Sequence, residues 1–328
     1  MNLAIEAENQ GLSLRIIDVE GEWKNVIPKL KKETVYYEIE NDLKINPFDL
    51  NDIGLTRQLL KETVFMGIEQ ECQDYTPQMN FLLNKCILKS RNIPELIYNV
   101  IHFSARDLPF KLWNINATKT ALLTRLNPFK DNPVLRSIFY VKSSNVNLNS
   151  IEKKNVIIDL HNLDRKVAYK RELRLIYNFL VINYLRKALA KRETNNVNNL
   201  FVVDEAQLLI PKIFRKATAT ETWMTTDFAT RLRKRGESLV IITQSPANIE
   251  DDVRKNAQNI FIFRLQDSQD IKTVAGMLGY IHVNEISHLA GLLANLESRR
   301  AIVKTPAVKY PFVLKTPDLS FETEKHDS

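Results

Sequence analysis

Leu200-Phe201-Val202-Val203-Asp204-Glu205 decides how this chain folds. An unbroken apolar run of this length is a strand buried on both faces, and the paired acids mark where it leaves the core. About forty residues on, Leu239-Val240-Ile241-Ile242-Thr243-Gln244 repeats the pattern and ends in a lone amide. Toward the amino terminus lie three more such runs: Val156-Ile157-Ile158-Asp159-Leu160, residues 35–39, and Leu14-Arg15-Ile16-Ile17 ended by Asp18. Apolar residues on a helical period at Leu3, Ala4, Ile5 and Ala7 predict a helix over 1–10, closed by Gly11. This alternation predicts an α/β fold, a mostly parallel sheet with helices on both faces.

Between these runs the pattern changes. Residues 52–126 carry helical spacing split by Pro77, Pro94 and Pro109, and read as an all-helical insertion. Residues 127–149, rich in Asn, Ser and Pro, read as the return linker. A helix over 166–190 looks amphipathic with a solvated basic face, and 195–199 looks like an Asn-rich loop. A further helix runs from about residue 220 into Arg231-Leu232-Arg233-Lys234-Arg235-Gly236. Residues 260–264 read as another strand, and 300–304 with 310–314 as a terminal strand pair. The chain therefore divides into a first core part (1–51), the insertion with its linker (52–150) and a second core part (151–328).

The 328 residues are long enough for a full core, and 44% hydrophobic with 26% charged content is that of a globular protein. No apolar stretch approaches the roughly 18 residues of a membrane helix. Glu6, Glu8 and Asn9 interrupt any secretory signal, so a cytoplasmic location is expected. Cys72 and Cys86 have no His or third Cys at ligand spacing and read as packing residues, and the five histidines show no metal spacing. A net charge of +7 and a pI near 9.2 favour a polyanionic partner or an acidic membrane surface.

In an open parallel sheet ligands collect at the carboxyl ends of strands, where Asp18, Asp159, Asp204 and Gln244 all fall. Nucleotide hydrolysis needs one acid to hold Mg²⁺, which suits Asp204, and a second to orient and deprotonate water, which suits Glu205. Gln244 could then sense the γ-phosphate. Asp18 and Glu22, in the turn after the first strand, are candidates for the nucleotide side of such a site. Capping of the following turn is the alternative for Asp18 and Asp159. Arg233, then Arg231, could reach a neighbouring subunit's phosphate as an arginine finger, although cations also suit a helix carboxyl end. Lys234 and Arg235 are better suited to nucleic-acid phosphates. A metal-dependent nuclease built on Asp159, Asp204 and Glu205 is a further possibility, without the Lys or His such clusters usually add.

Five segments in order resemble the HerA/FtsK superfamily of DNA-translocating ATPases, in particular HerA and the conjugation-type DNA-transfer ATPases. They are Asp18-Val19-Glu20-Gly21-Glu22, Asn46-Pro47-Phe48-Asp49, Val202-Val203-Asp204-Glu205-Ala206-Gln207, Arg233-Lys234-Arg235-Gly236 and Thr243-Gln244-Ser245-Pro246. The resemblance implies a RecA-like core, a homo-hexameric ring, ATP hydrolysis with Mg²⁺ between subunits, and DNA moved through a central pore. It makes Asp204 the Mg²⁺-associated Walker B acid, Glu205 the catalytic base, Gln244 the sensor, and Arg233 or Arg231 the finger acting in trans. The chain departs from the family in one respect: no glycine here is followed by lysine, so the G-x-x-x-x-G-K-[ST] phosphate loop is missing. In the family that loop precedes the Asp18 strand, and residues 1–10 resemble the far half of the helix after it. The expectation is a chain beginning after its phosphate loop, a gap beside the sheet, and weak hydrolysis by the polypeptide as written. The alternative is a non-hydrolysing DNA-binding or assembly subunit. Nothing in the sequence identifies a membrane-associated or nuclease partner.

Overall fold

Five strands, β1 (Ser13–Asp18), β2 (Thr34–Glu38), β3 (Asn155–Asp159), β4 (Thr194–Val203) and β5 (Arg235–Ile241), form one parallel sheet in the order β2-β3-β1-β4-β5. The computed structural model describes residues 1–39, 42–65, 76–104, 114–146, 153–161, 163, 170–190, 192–210, 212 and 234–318. Every residue of β1 and β3 is buried, as central strands covered on both faces require. Register places Asp18 beside Asp159, and Ile17 beside Val203.

The two faces are covered differently. Leu14, Ile16, Ile157 and Val202 pack against Ala4 of the first helix (Asn2–Asn9) and against Trp23 and Val26 of a 3₁₀ segment (Trp23–Lys29). On the opposite face Ile17, Val156, Phe201 and Val203 join one continuous core with the helix Lys170–Ala190 and the helices of residues 53–139. Successive strand residues point to opposite faces, so Asp18, Asp159 and Asp204 share the face of the first helix.

The predicted helical stretch begins its helices where side-chain caps stand. Asp52 accepts from the Leu55 amide, Thr76 from Met79 and Asn92 from Glu95, with Pro77 and Pro94 in the first turns. Pro109 lies outside the described residues. Three expectations change. Residues 127–139 are not an irregular linker: they form helices Pro128–Asp131 and Pro133–Phe139, with Phe129 and Phe139 edge to face in the core. Residues 195–199 belong to β4, where the register shift between Thr194 and Asn199 absorbs them opposite β5. The helix Lys170–Ala190 is no amphipathic cover. Its middle is buried all round, Arg174 included, because it lies between the sheet and the helical segment. Arg174 there donates to the Leu208 carbonyl.

Strands β6 (Ile260–Ile262), β7 (Arg300–Lys304) and β8 (Phe312–Lys315) form a separate antiparallel sheet. Helices Ser268–Leu278 and Val283–Ala294 cover it around a small core of their own. Its last residues return to the first helix, where the Asn2 amide donates to the Pro317 carbonyl. Cys86 is a free, buried thiol, which burial pushes up to about 11. Among the described residues, no helix is long and apolar enough to cross a membrane.

Candidate active site

Three aspartates stand in a row across the carboxyl ends of β3, β1 and β4. Asp18 is fully buried and accepts from the Gly21 amide at 2.8 Å and the Trp23 amide at 2.9 Å. Burial outweighs these two bonds, and the charges of Asp159 and Asp204 act in the same direction as burial. The Asp18 carboxyl is pushed up to about 6. Asp159 accepts from the His161 amide and from the Tyr36 hydroxyl, whose own ionisation is driven upward by burial and this carboxylate. Both aspartates thus cap the turns that follow them. Gly21 leaves the site only just enough room, since a Cβ there would lie 3.0 Å from the His161 ring.

Asp204 is held from two sides. Its Oδ1 accepts from the Glu205 amide at 3.0 Å and its Oδ2 from the Trp23 indole at 2.9 Å, leaving lone pairs on both oxygens open. The start of the first helix faces this acid. Burial lowers the pKa of the Met1 ammonium there, and the Asp204 charge partly opposes that shift. Glu205 takes the left-handed conformation, φ 47°, a strain of about 1 kcal/mol for a residue with a side chain. The turn is enforced because the Ala206 amide bonds the Ile242 carbonyl, tying the tip of β4 to that of β5.

That turn aims the Glu205 carboxylate between two glutamines. Gln244 donates to its Oε1 at 2.7 Å, Gln207 donates to its Oε2, and the Thr243 hydroxyl fixes Gln207 at 2.6 Å. Glu205 is buried while Gln244 is open to solvent, so the clamp forms the wall between core and surface. Among the candidates, Asp18, Asp204, Glu205 and Gln244 therefore meet at one end of the sheet. Glu22 is exposed at the head of the 3₁₀ segment with no side-chain cap bond. Arg231 and Arg233 lie outside the described residues. Arg235 opens β5 and is not part of a helix end. Arg254 and Lys255 pair with Asp251 and Asp252.

Sequence reasoning missed Trp23 and the second half of the clamp, Gln207. A buried Trp needs a partner for its N–H, and its place just after the Asp18 turn was the available signal.

Known proteins resemble this chain in sequence and in fold. Residues 144–304 match the family model described as zonular occludens toxin (Zot). A stretch of 144 residues is 28% identical to the DNA double-strand break repair helicase HerA of Sulfolobus acidocaldarius, covering 42% of this chain and 28% of that protein. The fold matches VirB4 of Thermoanaerobacter pseudethanolicus with a TM-score of 0.69 at 17% identity, over 97% of this chain and 85% of the other. In sequence and fold the chain is similar to P-loop ATPases of the HerA/FtsK type. Its RecA-like sheet is also that of the conjugative coupling protein TrwB, with a TM-score of 0.69 at 13% identity over 97% of this chain and 82% of TrwB. TrwB has been seen in complex with ADP and Mg²⁺. The matched stretch spans 28% of the length of the curated HerA.

Proposed function

We propose that this chain supplies the hydrolytic half of an ATP-driven DNA-translocating motor. The observation that carries the reading is the Glu205 carboxylate, held by Gln207 and Gln244 beside Asp204 at the tips of adjacent parallel strands. A carboxylate fixed on both oxygens presents its remaining lone pairs in one direction, which is what a general base for water requires. Gln244 donates to that base from the tip of β5, and in this reading it reports phosphate occupancy to it. ATP is the substrate, Asp204 the acid that associates with magnesium, and Asp18 and Glu22 line the approach.

The residues fit Mg²⁺. Asp204 offers hard carboxylate oxygens, and among the described residues no group of three or more His, Cys, Asp or Glu could cage a metal. That suits an ion held by one carboxylate together with waters and substrate phosphates. When bound, the ion supplies neutralisation of charge on the phosphates. Arg233 or Arg231 is proposed to act from a neighbouring copy in a homo-hexameric ring with DNA in its pore.

The sequence holds no glycine-rich loop ending in Gly-Lys. The lysine and backbone amides that cradle β- and γ-phosphates are therefore not supplied by residues 1–328, and this polypeptide is expected to turn over ATP slowly. The test compares DNA-stimulated hydrolysis by residues 1–328 with that of a version extended by the in-frame residues encoded upstream of Met1. Where turnover is found, Glu205→Gln should lower it by 10²-fold or more, as loss of a general base does, while nucleotide still binds. Turnover untouched by Glu205→Gln would end this reading.

The missing loop and the charge of +7 favour a second reading, a DNA-binding subunit without hydrolysis. It predicts DNA retention that falls steeply with salt and is indifferent to nucleotide.

A further inference from the structure

We infer that Asp270 is a positioning residue that ties the catalytic-end loop of β5 to the carboxyl-terminal helices and sheet. The inference rests on the site reading above and adds a route of control to it. Asp270 lies in the first turn of the helix Ser268–Leu278 and is 6% exposed. Its own helix start is secured separately, since Asp267 accepts the amides of Gln269 and Asp270. The Asp270 carboxylate is thus free of capping duty and reaches across to residues 245–247. The Ser245 hydroxyl donates to it at 3.2 and 3.3 Å, and the Ala247 amide donates at 2.8 Å.

Those contacts fall immediately after Gln244, whose amide holds Glu205 at 2.7 Å. Among the described residues, the other bonds of 245–247 stay within 243–249. Asn248 turns back onto the Ser245 hydroxyl, and Thr243 bonds the Ser245 amide, so the Asp270 carboxylate is the outside anchor of a short self-bonded turn. The next segment is pinned to the region after Glu205, with the Lys212 amide on the Asn248 carbonyl and the Glu250 amide on the Ile210 carbonyl. Residues 243–250 are therefore strung between the Glu205 elbow and the helix that carries Asp270. That helix packs through Ile271, Val274 and Ala275 into the core of the antiparallel sheet. A carboxylate with two donors holds a loop more firmly than neutral acceptors do, because charge-assisted bonds are roughly twice as strong. A displacement of this subdomain moves Ser245 and Ala247, and with them the amide that orients Glu205.

Hydrogen exchange on the purified chain tests the link without needing turnover. Gln244→Ala should raise exchange in residues 268–278 about threefold in the parent chain, and should add nothing further in an Asp270→Ala background, as coupled residues behave in a double-mutant cycle. Strictly additive effects, or no effect of Gln244→Ala on 268–278, overturn the inference. In any version that hydrolyses ATP, Asp270→Ala should lower kcat about tenfold with KM unchanged. Asp270→Asn, which keeps an acceptor for Ala247, should restore part of it, and a kcat equal to the parent's overturns the inference. Should no version hydrolyse ATP, the motor reading fails and the exchange cycle alone decides the link. Should Asp270→Ala not fold, Ser245→Ala removes the hydroxyl donor alone and is read by the same criteria.

Discussion

The Trp23 indole nitrogen donates to the Asp204 carboxylate at 2.9 Å, joining residues 181 positions apart in the chain. Trp23 is 2% exposed, so the indole holds Asp204 from the core side. Trp23→Phe keeps most of the apolar packing and removes the bond. It should lower stability by about 2 kcal/mol, the worth of a hydrogen bond to a charged group, as a shift of the urea midpoint without a change in slope. Nucleotide affinity measured with Mg²⁺ should fall with it, because Asp204 loses the contact that fixes its rotamer.

Asp18 makes stability depend on pH in a stated direction. In the folded chain the carboxyl is pushed up to about 6 from the ordinary aspartate value of 3.8, so the folded state holds the proton more tightly than the unfolded chain does. The resulting stabilisation is fully present below 3.8 and is lost as pH rises through about 6. Urea midpoints between pH 4 and pH 7 should show this decline in the parent chain. Asp18→Asn should flatten that part of the curve, and a parallel decline in the variant would remove Asp18 as its source.

A second carboxylate beside Glu205 should slow turnover. Gln244→Glu exchanges an amide donor 2.7 Å from Oε1 for a like charge that repels the carboxylate it held. In a version that hydrolyses ATP, kcat should fall about tenfold or more, since the general base loses its fixed position. A kcat equal to the parent's would contradict the clamp geometry.

Two glycines should respond oppositely to alanine. At Gly236, φ is 76°, and an added Cβ would meet the Asn196 carbonyl and the Asn198 side chain at 2.7 Å and the Thr194 methyl at 2.9 Å. Gly236→Ala should therefore open the paired start of β4 and β5 and cost about 2 kcal/mol or more. Gly276, inside the helix Ser268–Leu278, has nothing within 4 Å of such a Cβ. Gly276→Ala should stabilise by about 1 kcal/mol. Thermal melts of the two variants check both signs.

Strand positions were legible because Leu200 to Val203 and Val156 to Ile158 are apolar runs that only a doubly covered sheet can bury. Helix starts were legible because capping is local: Thr76, Asn92 and their prolines act within three residues. The acids and Gln244 stood out as candidates for the same reason, as polar residues ending buried strands. What escaped depended on distance. The burial of Arg174 follows from helices stacked over its own, which no periodicity within 170–190 reports. Trp23 gains its meaning from Asp204, and Asp270 from Ser245. Asn195 to Asn199 looked like a loop because asparagine favours turns, yet Thr194 and Asn199 both pair with β5 and hold the residues between them in the strand as a register shift.

The head of the first helix lies close enough to Asp204 for the Met1 ammonium to feel its charge. Residues joined ahead of Met1 therefore start beside the acids, so an upstream extension enters the site's immediate surroundings, and a purification handle or fluorescent label is better kept on the other terminus.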